Sequence, residues 1–294
     1  MAKMEIKVLF DLKNSLGEGP QWDVKNQRLY WIDSFDKKIY RSTADGGELK
    51  YWELPEIVGS FCLTKKGNAL LAGQSGLLEF DFDDAYSKHI FAPKNMKERL
   101  RFNDGKVDRN GNFFFGAMDV QEKKEIGAIY RCDEERHIKE LDTGFVVFNG
   151  PCWSPDGTTF YASDSGAGKI WRYDHNPLTG MIKKKTLIKS TTTPLSGSFD
   201  GCTIDVEGCL WSARIFGGKI DRISPDGSLI QSIKMPIMNP TSVAFGGSNL
   251  DILYVTSMGK IFSTNHPKDN NYSGALFAIT GLGIRGIEEK RHNS

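Results

Sequence analysis

The chain has 294 residues, with 38 Lys and Arg against 37 Asp and Glu and a formal net charge of +1. Such a balance gives no electrostatic reason to expect a nucleic acid or an anionic membrane as partner. No stretch approaches the ~18 apolar residues of a spanning helix, and the opening "MAKMEIKVLF" lacks the apolar core of a secretory signal.

The first predicted element is a strand at "EIKVLF", expected to close the fold as the outer strand of its last unit. From there the chain repeats itself. Six segments start at Glu18 (EGPQW), Ser60 (SFCLT), Asn103 (NDGKV), Asn149 (NGPCW), Asp200 (DGCTI) and Thr241 (TSVAF), spaced 42, 43, 46, 51 and 41 residues apart. Seven or eight positions after each start comes a turn signal: Lys25-Asn26, Gly67-Asn68, Asn110-Gly111, Asp156-Gly157, Glu207-Gly208 and Ser248-Asn249. Pairs of this kind supply the positive φ that tight hairpins need.

Each turn leads into an aromatic and β-branched run of strand length: "RLYWID", "ALLAGQ", "NFFFGAM", "TTFYASD", "CLWSAR" and "DILYVTS". A third run follows, such as "KIYRS" or "KIWRYD", and the remaining length leaves room for a fourth. No long segment has a 3.6-residue apolar period, so few helices are expected. Six units of about 45 residues with about four antiparallel strands each predict an all-β, six-bladed β-propeller. It forms a single domain over 1–294, with a tail from about 288. Lys183, Lys184 and Lys185 read as a solvated turn. The five cysteines, an odd number without zinc-ligand spacing, read as reduced, mostly buried apolar residues of a cytoplasmic protein.

In a propeller the first strand of each blade lines the central channel. The leading residues Glu18, Ser60, Asn103, Asn149, Asp200 and Thr241 should therefore form a ring at one end of it. All six side chains carry oxygen, which suits one hard divalent cation: Ca²⁺, Mg²⁺, Mn²⁺, or Zn²⁺ or Fe²⁺. Asn, Asp and Gly are also ordinary turn formers. Against that simpler reading, Glu is a poor turn residue, and two carboxylates converging on one axis are costly without a cation. The second strand returns to the same end, so Asp33, Gln74, Met118, Asp119, Asp164, Arg214, Ser257 and Met258 are expected at the mouth.

"LGEGPQWD", "RFNDGKVD", "FNGPCWSPDG", "SFDGCTID" and "NPTSVAFGG" together resemble the family of senescence marker protein (regucalcin), gluconolactonases and related sugar lactonases. The resemblance runs from about Leu16 to Ile287. It implies a six-bladed propeller with one divalent metal in the channel, held by Glu18, Asn149 and Asp200. It also implies that Asp200 acts as general base and that Arg101 and Asn103 contact substrate. The stretch after "GAM", where family members often carry acids on sugar hydroxyls, here reads Asp119, Val120, Gln121, Glu122. Asp119 and Gln121 are the candidate contacts, and which acid takes the role stays open. "GAM" itself replaces the commoner "GTM".

The implied reaction is hydrolysis of an aldono-1,4- or 1,5-lactone, such as arabinono-, xylono- or gluconolactone, to the aldonic acid. Two other readings compete. An aryl-ester, aromatic-lactone or organophosphate hydrolase on the same scaffold would need an apolar mouth, for which Phe102, Trp153, Phe216 and Met258 are candidates. A non-catalytic binding propeller is suggested by "LYWIDSFDKKIYRS", which resembles a YWTD repeat in the first blade alone.

Overall fold

A computed structural model describes residues 3–93, 96, 99–191, 196–260 and 271–294. The described residues hold 24 β-strands and no α-helix. After β1 (Glu5–Phe10), blade 1 comprises β2 (Gly17–Asp23), β3 (Arg28–Asp33), β4 (Lys38–Ser42) and β5 (Lys50–Glu53). Blade 2 comprises β6 (Val58–Leu63), β7 (Ala69–Gly73), β8 (Leu77–Phe80) and β9 (Ser87–Phe91). Blade 3 comprises β10 (Leu100–Val107), β11 (Phe113–Asp119), β12 (Gly127–Cys132) and β13 (Ile138–Phe145). Blade 4 comprises β14 (Phe148–Trp153), β15 (Thr159–Asp164), β16 (Lys169–Asn176) and β17 (Met181–Ser190). Blade 5 comprises β18 (Ser198–Ile204), β19 (Leu210–Ile215), β20 (Lys219–Ile223) and β21 (Leu229–Lys234). Blade 6 takes β22 (Pro240–Gly246), β23 (Ile252–Ser257) and β24 (Leu276–Thr280), and β1 pairs antiparallel with β24 as its fourth strand. The chain is thus the six-bladed, all-β propeller that its repeat predicts, and the N-terminal strand closes the ring.

The core lies between blades. Phe102 and Phe113 of blade 3, for example, pack into one cluster with Cys62 and Leu70 of blade 2. A buried Phe or Leu contributes roughly 1.5–3 kcal/mol, so apolar side chains of this kind carry the cohesion between blades, with individual hydrogen bonds between inner strands beside them. All five cysteines are buried and none forms a disulfide. No helix among the described residues is long and apolar enough to cross a membrane.

Four hairpin turns take positive φ at the predicted glycine: Gly67, Gly111, Gly157 and Gly208. In blade 1 the left-handed residue is instead Gln27 (φ 52°), because the Asn26 side chain turns back to donate to Asp23 (2.8 Å). In blade 6, Gly247 and Leu250 take the role in place of Ser248-Asn249. Lys183–Lys185 lies within the outer strand β17, not in a turn. Lys184 has φ 51° beside an irregularity in the β16–β17 pairing, and the lysines pair with Asp174 and Asp142.

Candidate active site at the channel mouth

All six inner strands share one irregularity. The register with the second strand shifts just at the leading residue: at Glu18/Gln21, Val58/Ser60, Phe102/Gly105, Asn149/Cys152, Phe199/Cys202 and Pro240/Val243. A bulge places extra residues opposite the partner strand and re-aims a side chain. In blades 1 and 4 it is made by a glycine right after the leader, Gly19 (φ 54°) and Gly150 (φ 56°), a conformation costly for other residues. At Glu18-Gly19 and Asn149-Gly150 the pair is therefore a turn signal and a site signal at once. The bulge is what frees the leading side chain from the sheet.

The six leaders divide in two. Ser60 and Thr241 are fully buried and clamp neighbouring blades: Ser60 Oγ donates to Asn103 O (2.7 Å) and Thr241 Oγ1 to Gly17 O. They serve the ring's closure, since a short hydroxyl reaches no further than the next strand. Glu18, Asn103, Asn149 and Asp200 are left as the candidate site. Asn103 Nδ2 donates to Asn149 Oδ1 and to Phe148 O, each at 2.9 Å. Asn149 Nδ2 donates to Ser165 Oγ (2.8 Å), which in turn donates to Phe199 O, adjacent to Asp200. Arg101 Nη1 donates to Asn103 Oδ1 (2.8 Å). These bonds fix both amides and leave a second lone pair on Asn149 Oδ1.

The electrostatics of this cluster are lopsided. Burial, followed by the charges of Asp200 and Asp104, raises the Glu18 carboxyl well above its ordinary value. Burial and Asp104 do the same to Asp200, and Asp200 Oδ1 is buried without a hydrogen-bond partner. Asp104 itself is held by the amides of Gly105 (2.7 Å) and Gly150 (2.8 Å), yet burial still raises it. Behind it, the Glu289 carboxylate lies 3.2 Å from Lys106. Four buried or half-buried carboxylates (Glu18, Asp104, Asp200, Glu289) thus face two cations, Arg101 and Lys106. The excess of acidic over basic groups, the unpartnered Asp200 oxygen and the all-oxygen donor set fit a hard divalent cation held by Glu18, Asn149 and Asp200.

Asp119 is not drawn into this cluster. Its carboxylate accepts from Arg99 Nε (2.9 Å) and Nη2 (3.1 Å) and from the amides of Gln121, Lys123 and Lys124, which hold it far below the usual carboxylate range. Asp33 and Asp164 end the second strands of blades 1 and 4 and do the same: Asp33 binds the amides of Ser15, Leu16 and Asp36, and Asp164 those of Val146, Val147 and Ala167. All three organise the loops at the blade end. The repeat alignment itself carried this signal, because the three aspartates occupy equivalent places. Arg214, also expected at the mouth, is consumed by Ser196 O and Gly197 O and stacks 3.8 Å over Phe199.

Gln121 is exposed on the Asp119 turn. The acid whose charge reaches the site is Glu122: it supports the Arg101 cation against burial and adds to the repulsion on Asp200. We expect Asp119→Asn to lower the melting temperature by about 2–4 °C and to change KM little. Glu122→Gln should raise KM severalfold on the same substrate with no change in melting; thermal melts and steady-state kinetics at saturating metal separate the two.

The apolar mouth needed by an aryl-ester hydrolase does not assemble from its candidates. Phe102 packs inside the blades on Phe115 and Tyr130, and Trp153 on Phe114 and Phe160. Met258 is buried, and Phe216 is half-buried.

Residues 16–259 match the sequence model of the SMP-30/Gluconolactonase/LRE-like region. The chain belongs to that family. It is 34% identical over 276 residues to 6-deoxy-6-sulfogluconolactonase of Pseudomonas putida, covering 93% of this chain and 94% of that protein. It is 31% identical over 276 residues to L-arabinolactonase of Azospirillum brasilense, covering 92% and 90%. Among solved structures, regucalcin of Agrobacterium tumefaciens, described as a calcium-binding protein, superposes with a TM-score of 0.88 at 25% identity over 98% of this chain and 97% of that one. The family and its lactonase members make the protein an enzyme of the carboxylic-ester hydrolase class, which removes the binding-propeller reading.

Proposed function

We propose that the protein hydrolyses a sugar lactone to its aldonic acid, using one divalent cation held by Glu18, Asn149 and Asp200. The observation that carries this reading is the unpartnered, buried oxygen of Asp200, whose charge also acts on Glu18; both carboxyls are raised first by burial and then by neighbouring carboxylates, Asp104 among them. The lactonase activity of the two relatives and the calcium binding of the structural neighbour support it. When bound, the cation supplies Lewis-acid polarisation of the lactone carbonyl.

The rest is the work of the chain's own side chains. Asp200 takes a proton from the water whose oxygen adds to the carbonyl carbon, and returns it to the ring oxygen as the C–O bond breaks. Burial makes its carboxylate a stronger base than an exposed one. Arg101, half-buried and anchored on Asn103 Oδ1, sits where it orients the ring and meets developing negative charge. Asn103 and Asn149 donate and accept, matching a polyhydroxylated substrate. Glu122, exposed on the Asp119 turn and supporting the Arg101 cation by its charge, is the acid we assign to the sugar hydroxyls in place of Asp119, with Gln121 beside it.

The test is acid release from a panel of aldonolactones on metal-stripped protein, with Ca²⁺, Zn²⁺, Mn²⁺, Mg²⁺ and Fe²⁺ added back singly and spontaneous opening subtracted. Metal-restored release from a sugar lactone is the expected result. Bound metal with no release from any sugar lactone would discard the substrate class, and activity indifferent to stripping would discard the metal.

A further inference from the structure

Residues 285–294 run across the end of the channel opposite the mouth and touch every blade. Val206 N donates to Arg285 O (3.1 Å) in blade 5, and Gly286 N to Leu250 O (2.7 Å) in blade 6. Ile287 packs on the apolar cluster that Cys152 and Tyr161 of blade 4 share with blade 5. Arg109 of blade 3 donates to Glu288 O (3.3 Å), and Arg291 pairs with Asp23 of blade 1. In blade 2, His292 exchanges backbone bonds with Leu63 (2.8 Å) and Lys65 (2.9 Å). One side chain of this segment reaches up the axis. Glu289 is 7% exposed and meets Lys106 (16% exposed) at 3.2 Å, and it accepts from Thr203 Oγ1 (3.2 Å). Lys106 Nζ also donates to Cys202 O (2.8 Å). Lys106 and Glu289 line a small void of about 20 Å³ together with Gln21, Asp104 and Ser242.

Both contacts of the Glu289–Lys106 pair fall on β18, two and three residues after Asp200. We propose that the segment 285–294 is the floor of the catalytic channel and that Glu289 is a positioning residue, which holds Lys106 and, through Lys106 and Thr203, fixes the strand that carries Asp200. Removing one member of a buried ion pair leaves an unpaired charge, so the loss of Glu289 is felt by Lys106 and by the Cys202 carbonyl that it grips. The consequence for metal affinity rests on the reading of Asp200 as a ligand; the clamp itself does not.

The experiment is therefore run first without metal. In metal-free Glu289→Gln, amides of β18 should exchange with deuterium about tenfold faster than in the native protein, while β3 and β7 keep their native rates. The affinity for Ca²⁺, titrated calorimetrically into the same two proteins, should weaken by about tenfold. Native exchange at β18, or faster exchange in all three strands together, overturns the proposal. A native protein that takes up no Ca²⁺ removes the metal reading, while the exchange result still decides the clamp. Should Glu289→Gln fail to fold, Glu289→Asp keeps the charge but withdraws it by one methylene. The acceleration at β18 is then expected at about threefold, and a native rate there overturns the proposal equally.

Discussion

Asp200→Asn is expected to lower turnover by about 10³-fold, within the range that a positioned general base supplies, while the protein still takes up a divalent cation. The amide keeps one oxygen that can coordinate, but it cannot accept a proton and it brings no negative charge, so cation affinity should weaken without being lost. Beyond the Gly201 amide, which bonds to the Asp200 carboxylate, the surroundings leave little for this substitution to disturb. Its Oδ1 has no hydrogen-bond partner to disrupt, and its backbone is held independently by the bulge at Phe199/Cys202 and by the Ser165 bond to Phe199 O. The decisive measurement is kcat on the best lactone at saturating metal, together with calorimetric metal binding. Near-native kcat with metal bound removes Asp200 as the base. Lost kcat with metal binding also lost by several orders of magnitude makes Asp200 a ligand whose second role is untested, and Asp200→Glu then decides by moving the base without removing it.

The propeller was legible because a repeat advertises itself: the turn pair, the aromatic second strand and the polar leader recur six times. The ring of leaders was legible in place but not in role. Glu18, Asn103, Asn149 and Asp200 converge as expected, whereas Ser60 and Thr241 turn into clamps between blades. That split depends on which neighbouring carbonyl lies within reach, and no local pattern encodes it. Asp119 shows the converse. Read along the chain it was an acid in the right stretch; read across the repeat it is the counterpart of Asp33 and Asp164, three loop-organising carboxylates. Least legible was the tail. "RGIEEKRHNS" has neither period nor turn signal, and its contacts with all six blades are long-range.

Glu18→Gln should weaken divalent-cation binding by about 10²-fold or more, yet make the metal-free protein more stable near neutral pH, by about 2–6 °C in melting temperature. The direction follows from the sign of the linkage. Burial and the charges of Asp200 and Asp104 raise the Glu18 carboxyl in the folded state. A group raised on folding contributes stability that is fully present below its unfolded value, about 4 for a carboxyl, and is lost as pH climbs through the raised folded value. Asp200 shares that behaviour. The metal-free native protein should therefore melt at progressively lower temperature as pH rises above about 4–5, and a divalent cation should restore more of the loss at higher pH. Glu18→Gln lacks one of the opposed charges, so its metal-free melting curve should be flatter with pH and cross above the native one. Melts of both proteins across that range, with chelator and with Ca²⁺, test the argument. A metal-free variant that melts below the native protein at neutral pH would show that the Glu18 carboxylate is satisfied by the fold itself. The excess negative charge at the mouth would then no longer argue for a cation.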